Sequence, residues 1–207
     1  MSRNLIILLH GVGSNGANLA PLGDAWRQAL PHAEFAAPDA PFAFDQGPGR
    51  QWFSVSGVTE ANRPERVAAA RAAFDRTLGD IVAAHGMSDS LERVALVGFS
   101  QGSIMALDAL ASGRWPVAAV VAFSGRLASP QPLAPAPGTR VLLVHGDADP
   151  VMPVTESERA ATTLQGLGID VTSHILPRLG HSISPQGATL AGAFLSGIFQ
   201  PDGKGAA

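Results

Sequence analysis

The sequence predicts an α/β fold, a mostly parallel twisted sheet with helices on both faces. Three observations point there. Short apolar runs without polar alternation recur along the chain, as strands buried on both faces require. Longer stretches with helical spacing separate them, which is the alternation of a parallel sheet with helical crossovers. The length of 207 residues matches one domain of about 100–200 residues, large enough to bury roughly 70% of its unfolded surface without staples. A single domain is expected over residues 1–200, followed by a small polar tail at 201–207 that frays.

The elements follow in order. Leu5 to Leu9 reads as the first strand, and a weaker one lies near Ala33 to Ala37. Pro38 to Gly57 holds three Pro, three Gly and the aromatics Phe42, Phe44, Trp52 and Phe53. It reads as a long loop at one rim of the sheet, where ligands usually sit. The clearest helix runs from Pro64 to about His85, with Pro64 in its first turn and Gly86 as its stop. Val94 to Val97 is a strand, Ser103 to Leu110 a helix and Val117 to Phe123 a strand. Ser124 to Gly138, with four Pro, is a second long loop. Val141 to Val144 and Val171 to Leu176 are strands, and Thr155 to Leu167 and Ala188 to Phe199 are helices.

Composition excludes several classes. Hydrophobic residues make up 46% and charged residues 15%, unlike a disordered chain. Fourteen basic against seventeen acidic residues give a net charge of −3, with no basic run, so no nucleic-acid partner is expected. Cysteine is absent, which removes disulfides, thiolate nucleophiles and thiolate metal sites. The opening apolar run of five residues is shorter than the roughly 7–15 of a signal peptide core. Nothing approaches the ~20 apolar residues of a membrane span. A cytoplasmic protein without stable membrane insertion is expected.

Gly98-Phe99-Ser100-Gln101-Gly102 spells G-x-S-x-G between a strand and a helix, the context that makes this pattern a nucleophile elbow. Ser100 must then occupy a sharp, strained turn, and side chains at 98 and 102 would clash with neighbouring chain. A serine needs a base, because its hydroxyl is hardly ionised at neutral pH. Of the six histidines, His181 follows the last strand and precedes the last helix, at the same rim as Ser100. His174 lies within a strand, His32 and His85 sit near element ends, and His10 and His145 end strands just before a glycine. The acid comes from the turn after Val144, where Asp147 and Asp149 compete. Asp149 is the better placed, and the order Ser100, Asp149, His181 is that of the α/β-hydrolases.

Gly11-Val12-Gly13-Ser14-Asn15-Gly16 also spells G-x-G-x-x-G, with Asp39 near the position of a ribose-binding acid. Pro21 interrupts the helix that a dinucleotide site would need. The better reading is an oxyanion loop, in which the backbone N–H groups of Val12 and Gln101 receive a developing negative oxygen. No metal signature is present, and no cofactor is expected.

Leu9-His10-Gly11-Val12-Gly13, Gln51-Trp52-Phe53, the elbow, His145-Gly146-Asp147-Ala148-Asp149 and Gly180-His181 together resemble the phospholipase/carboxylesterase family of α/β-hydrolases, which includes acyl-protein thioesterases. The resemblance implies an α/β-hydrolase fold, the triad Ser100, Asp149 and His181, and Val12 and Gln101 as oxyanion donors. It places Trp52 and Phe53 beside the acyl site. Three positions depart from the common pattern: Ser14, Ser54 and Ser103. The chain starts at the first oxyanion-bearing strand, so the leading hairpin of larger relatives is expected to be missing. The function expected is a serine carboxylesterase for short to medium acyl chains, acting on a small-molecule ester or thioester. The alternatives are a lysophospholipase or acyl-protein thioesterase with the same triad, and a non-catalytic binding protein of the same fold. A homodimer is left open. Only Ser124 to Thr139 separates two strands where lids are commonly inserted, too short for two helices of about 11–12 residues each. No cap is therefore expected, and cover would come from Phe42, Phe44, Trp52 and Phe53.

Overall fold

The computed structural model describes residues 3–199, so the tail expected at 201–207 lies outside the described residues. The elements are β1 (Asn4–Leu9), α1 (Gly16–Trp26), β2 (Ala33–Ala36), β3 (Phe42–Ala43), β4 (Arg50–Gln51), α2 (Arg63–Ala84), β5 (Val94–Phe99), α3 (Gln101–Ala111), β6 (Ala119–Phe123), β7 (Arg140–Gly146), α4 (Thr155–Gly166), β8 (Asp170–Leu176) and α5 (Pro185–Phe199). Six strands form one sheet in the order β2-β1-β5-β6-β7-β8, with every neighbouring pair parallel. This is the architecture expected, and no helix stands between β6 and β7 where a cap would be inserted. Among the described residues no helix is long and apolar enough to cross a membrane.

The apolar runs are continuous because each strand feeds two cores. Along β1, Leu5, Ile7 and Leu9 pack with residues of α2, α3 and α4, whereas Ile6 and Leu8 pack with Trp26 of α1 and Ala191 and Leu195 of α5. Polar alternation would place a polar side chain in one of these cores. On the second face, Trp26 Nε1 donates to the Ala188 carbonyl at 2.9 Å. A Cβ on Gly192 would lie 2.8 Å from the Trp26 ring, so the two helices close against each other there.

Two expectations need correction. Pro21 does not interrupt the first helix, because α1 runs through it. Its ring forfeits a bond to the carbonyl of Ala17, but both residues are exposed, so water serves that carbonyl. The first turn is doubly capped, with Asn15 Oδ1 accepting from Asn18 N–H at 3.0 Å and Asp39 Oδ1 from Gly16 N–H at 2.8 Å. Asp39, the candidate ribose ligand, is thus a helix cap. Pro38 to Gly57 is not wholly irregular either, since β3 and β4 form an antiparallel ribbon within it.

Between α2 and α3 lies an ion cluster that the sequence did not reveal. Arg71 grips Asp108 in a two-pronged contact at 2.8 and 2.9 Å, and Arg114 adds a third bond at 3.0 Å. The Asp108 side chain has no exposed surface. Burial alone would raise its carboxyl, but the bonds from Arg71 and the charges of both arginines hold it below the usual aspartate value.

Candidate active site

The site begins at the end of β5. Ser100 has φ 52 and ψ −115, a left-handed strain rarely adopted by non-glycine residues and concentrated at functional positions. The turn is forced by close chain approach. A Cβ on Gly98 would sit 2.4 Å from Ser103 N, and one on Gly102 would sit 2.0 Å from the Leu9 carbonyl oxygen. Ser100 N–H donates to the Phe123 carbonyl at 2.9 Å, which ties the turn to β6.

Three side chains from three loops meet at this rim. Ser100 Oγ lies 3.0 Å from His181 Nε2, and His181 Nδ1 lies 2.7 Å from Asp149 Oδ2. The carboxylate accepts at Nδ1, which fixes the tautomer and leaves Nε2 to accept from the hydroxyl. Asp149 Oδ1 accepts the N–H groups of Val151 and Met152, both at 2.9 Å. Burial would raise this carboxyl. The Met152 N–H, His181 and the Val151 N–H outweigh burial and hold it below its ordinary value. Asp147 faces elsewhere, accepting from Arg178 N–H. The arrangement is able to pass a proton from Ser100 Oγ to Nε2 while the Asp149 carboxylate faces the resulting imidazolium.

His145, placed by sequence only as a strand-end residue, stands behind Asp149. Its Nε2–H donates to the Met152 carbonyl at 2.8 Å, its Nδ1 accepts from Ser157 Oγ at 2.6 Å, and Asp149 Oδ2 lies 3.4 Å from Nε2. One residue, Met152, therefore serves both, its N–H donating to Asp149 and its carbonyl accepting from His145.

The loop after β1 packs directly on the elbow. A Cβ on Gly11 would lie 3.3 Å from Ser100 Cβ. The N–H groups of Val12 and Gln101 have no acceptor among the described residues, whereas Gly13 N–H donates to the Arg50 carbonyl at 2.8 Å and Arg50 N–H to the Ser14 carbonyl at 2.8 Å. His10 is held as a neutral ring. Its Nε2 accepts from Ala40 N–H at 2.9 Å and its Nδ1–H donates to the Gly11 carbonyl at 2.7 Å. Burial is the main cause that pushes its pKa down.

The four aromatics divide between core and surface. Trp52 has no exposed surface and Phe53 is 6% exposed, so neither offers a wall to a ligand. Trp52 Nε1 donates to the His10 carbonyl at 2.9 Å and its ring meets Phe74 edge-on at 5.3 Å. Gln101 clamps both residues to the elbow, its Oε1 accepting from Trp52 N–H at 2.8 Å and its Nε2 donating to the Phe53 carbonyl at 2.7 Å. Phe44 packs on Gly13, where a Cβ would lie 3.3 Å from its ring, and Phe42 is 44% exposed. The cleft that touches His181 lies on the other side. It has a volume of about 320 Å³ and is lined by Gly11, Ser14, Asn18, Leu19, Phe99 and Ile183 among others. The run of small and polar residues in this lining gave no sequence signal, apart from the glycine-rich loop after β1.

The three departures are all accommodated. Ser14 Oγ accepts from Asn18 Nδ2 at 3.2 Å, Ser54 Oγ bonds Asp45, and Ser103 Oγ donates to the Phe123 carbonyl at 2.8 Å. Ser103 is fully buried, and Gly125 makes room for it, since a Cβ there would lie 2.5 Å from Ser103 Cβ.

Comparison with known proteins bears on this geometry. Residues 1–198 match the phospholipase/carboxylesterase family. The chain is 35% identical over 182 residues to Esterase YpfH of Escherichia coli (strain K12), covering 88% of this chain and 77% of that protein. It is 27% identical to acyl-protein thioesterase 1 of Gibberella zeae, over 92% of this chain and 88% of that one. The crystal structure of esterase PE8 superposes with a TM-score of 0.85 at 37% identity, over 96% of this chain and 94% of that one. The fold, the strained serine turn and a match over nearly the whole length agree: the chain belongs to the phospholipase/carboxylesterase family of α/β-hydrolases and is a carboxylic ester hydrolase.

Proposed function

We propose that Ser100 is the nucleophile, His181 the general base and then acid, and Asp149 the carboxylate that orients the imidazole. The observation that carries this reading is the unbroken line from Ser100 Oγ through His181 to Asp149, at 3.0 and 2.7 Å. His181 Nε2 takes the hydroxyl proton as Oγ bonds to the substrate carbonyl carbon. The displaced electron pair moves onto the carbonyl oxygen, which the N–H groups of Val12 and Gln101 receive. Collapse breaks the bond to the leaving group, which takes the proton from His181 and leaves an acyl-enzyme. Water repeats the sequence and frees the acid. These steps need no cofactor. The absence of an acceptor for either amide among the described residues supports their role.

The acyl preference proposed is short to medium. The cleft beside His181 is open and modest, with Leu19, Phe99 and Ile183 as its apolar lining, and no helix covers it from the β6–β7 connection. Each methylene it buries contributes about 0.8 kcal/mol, about fourfold in kcat/KM, until the chain emerges. A cytoplasmic setting belongs to the same proposal and fits the cysteine-free sequence. The test is a panel of esters from acetate to dodecanoate, run on the wild type and on Ser100→Ala. The expected result is a rise over the first members followed by a plateau, and a loss of about 10⁴-fold or more in the variant. A folded Ser100→Ala protein with near-wild-type turnover overturns the triad. A jump in rate on micelle formation overturns the open cleft.

A further inference from the structure

A second groove of about 290 Å³ lies between the start of α2, the start of α4 and the loop after β6. Its charged lining is Glu60, Arg63, Arg126, Glu156 and Arg159, three arginines against two glutamates. The arginines are not equally matched. Glu156 Oε1 is taken by Arg159 at 3.2 Å, while its Oε2 stands 3.7 Å from Arg126, beyond hydrogen-bond distance. Arg126 spends its Nε–H on Met152 Sδ at 2.9 Å, and a thioether is a weak acceptor. Neither of its terminal amino groups has a hydrogen-bond partner among the described residues, although its side chain is only 11% exposed. Arg63, in the first turn of α2, forms no ion pair among the described residues.

Only Gln51 Oε1 and Ser129 Oγ are buried without a partner among the described residues, so the terminal nitrogens of Arg126 open onto the groove and are available to a ligand. Burial and the neighbouring Arg63 charge both push Arg126 below its usual pKa, so the positive field in the groove is only partly answered by the glutamates. The N-terminus of the 22-residue α2 adds its positive dipole end from the same side. We propose that this groove binds an oxyanion, a carboxylate or a phosphate, held by Arg126 and Arg63. The fork of Arg126 suits a bidentate grip on such a group. The ligand would also touch the reaction. Arg126 holds Met152, whose N–H holds Asp149 and whose carbonyl takes His145.

The anion has two sources, a group carried by the ester or a free ion, and the experiment separates them. Inorganic phosphate and succinate are titrated at constant ionic strength against wild type, Arg126→Gln and Arg63→Gln, with binding read by calorimetry and by the melting midpoint. Hydrolysis of methyl pentanoate and of monomethyl glutarate is compared in the same three proteins. Saturable binding weakened at least tenfold in both variants supports the site. If the anion is substrate-borne, the wild type also prefers monomethyl glutarate, and the preference falls tenfold in both variants. Arg63→Gln alters a half-exposed helix start and keeps the test valid should Arg126→Gln fail to fold. Absence of saturable binding together with no ester preference overturns the proposal, and so does binding unchanged in both variants. Repeating the titration on Ser100→Ala separates this site from the triad reading, since phosphate binding there is expected to be unchanged.

Discussion

Removing the Gln101 carboxamide isolates the bond between the elbow and the loop that carries Trp52. In Gln101→Ala the Trp52 N–H loses its acceptor and the Phe53 carbonyl loses its donor. Trp52 is fully buried and Phe53 is 6% exposed, so solvent does not replace the lost amide. Each orphaned group costs about 1–3 kcal/mol, and the pair about 2–6 kcal/mol. For a chain of this size each kcal/mol moves the melting midpoint by about 2–4 °C, which gives a fall of roughly 4–24 °C. The Gln101 N–H remains in place, so stability should fall further than the turnover of the folded fraction. Urea and thermal unfolding followed by tryptophan fluorescence read the effect, with Trp52 as a local probe. A loss below about 0.5 kcal/mol, the range of ordinary surface substitutions, would show that the two segments are held by backbone packing alone and would refute the clamp.

Further outcomes follow from other contacts. Asp149→Asn should cost about 10⁴-fold in kcat, by analogy with loss of the orienting acid in serine proteases, whereas Asp147→Asn should change it little; steady-state kinetics giving the reverse order would move the acid to Asp147. Gly102→Ala would put a Cβ 2.0 Å from the Leu9 carbonyl oxygen and push the elbow about 1 Å off β1, for a loss of about 10²-fold in kcat/KM; unchanged kinetics in the folded variant would contradict the close approach. Asp108→Asn should destabilise by about 3 kcal/mol at neutral pH, since two arginines lose their shared carboxylate. The Asp108 carboxyl is depressed in the fold. Its contribution is therefore complete above the unfolded aspartate value near pH ~4 and is lost as pH falls through the lower native value. Urea midpoints of wild type and variant should converge in that acid window, and a gap that persists below it would reject the ion cluster as the cause.

The parts of this protein that were legible in sequence are those where chemistry or sterics leave few choices. Gly98 and Gly102 announce the elbow because any Cβ would strike backbone. His181 and Asp149 were readable from their places after strands. The aromatic loop was not, because the same residues serve as wall or as core. Trp52 became core through its contacts with His10 and Phe74, partners distant in sequence. Pro21 misled because its cost depends on whether the orphaned Ala17 carbonyl meets solvent. His145 was hidden by its position at a strand end, where nothing local shows that it faces the Met152 peptide.

The seam between α1 and α5 has a consequence for synthesis of the chain. Trp26 and Ala188 are 162 residues apart, and the sheet face of Ile6 and Leu8, on which Trp26 and Leu30 pack, takes its last cover from Ala191 and Leu195. At about 5–20 residues per second, a ribosome needs roughly 8–32 s to make that interval. During this time that face has α1 packed on it but lacks the cover of α5. His181, just ahead of α5, also arrives late. On the proposed triad, Ser100 therefore has no base until the segment carrying His181 has been made.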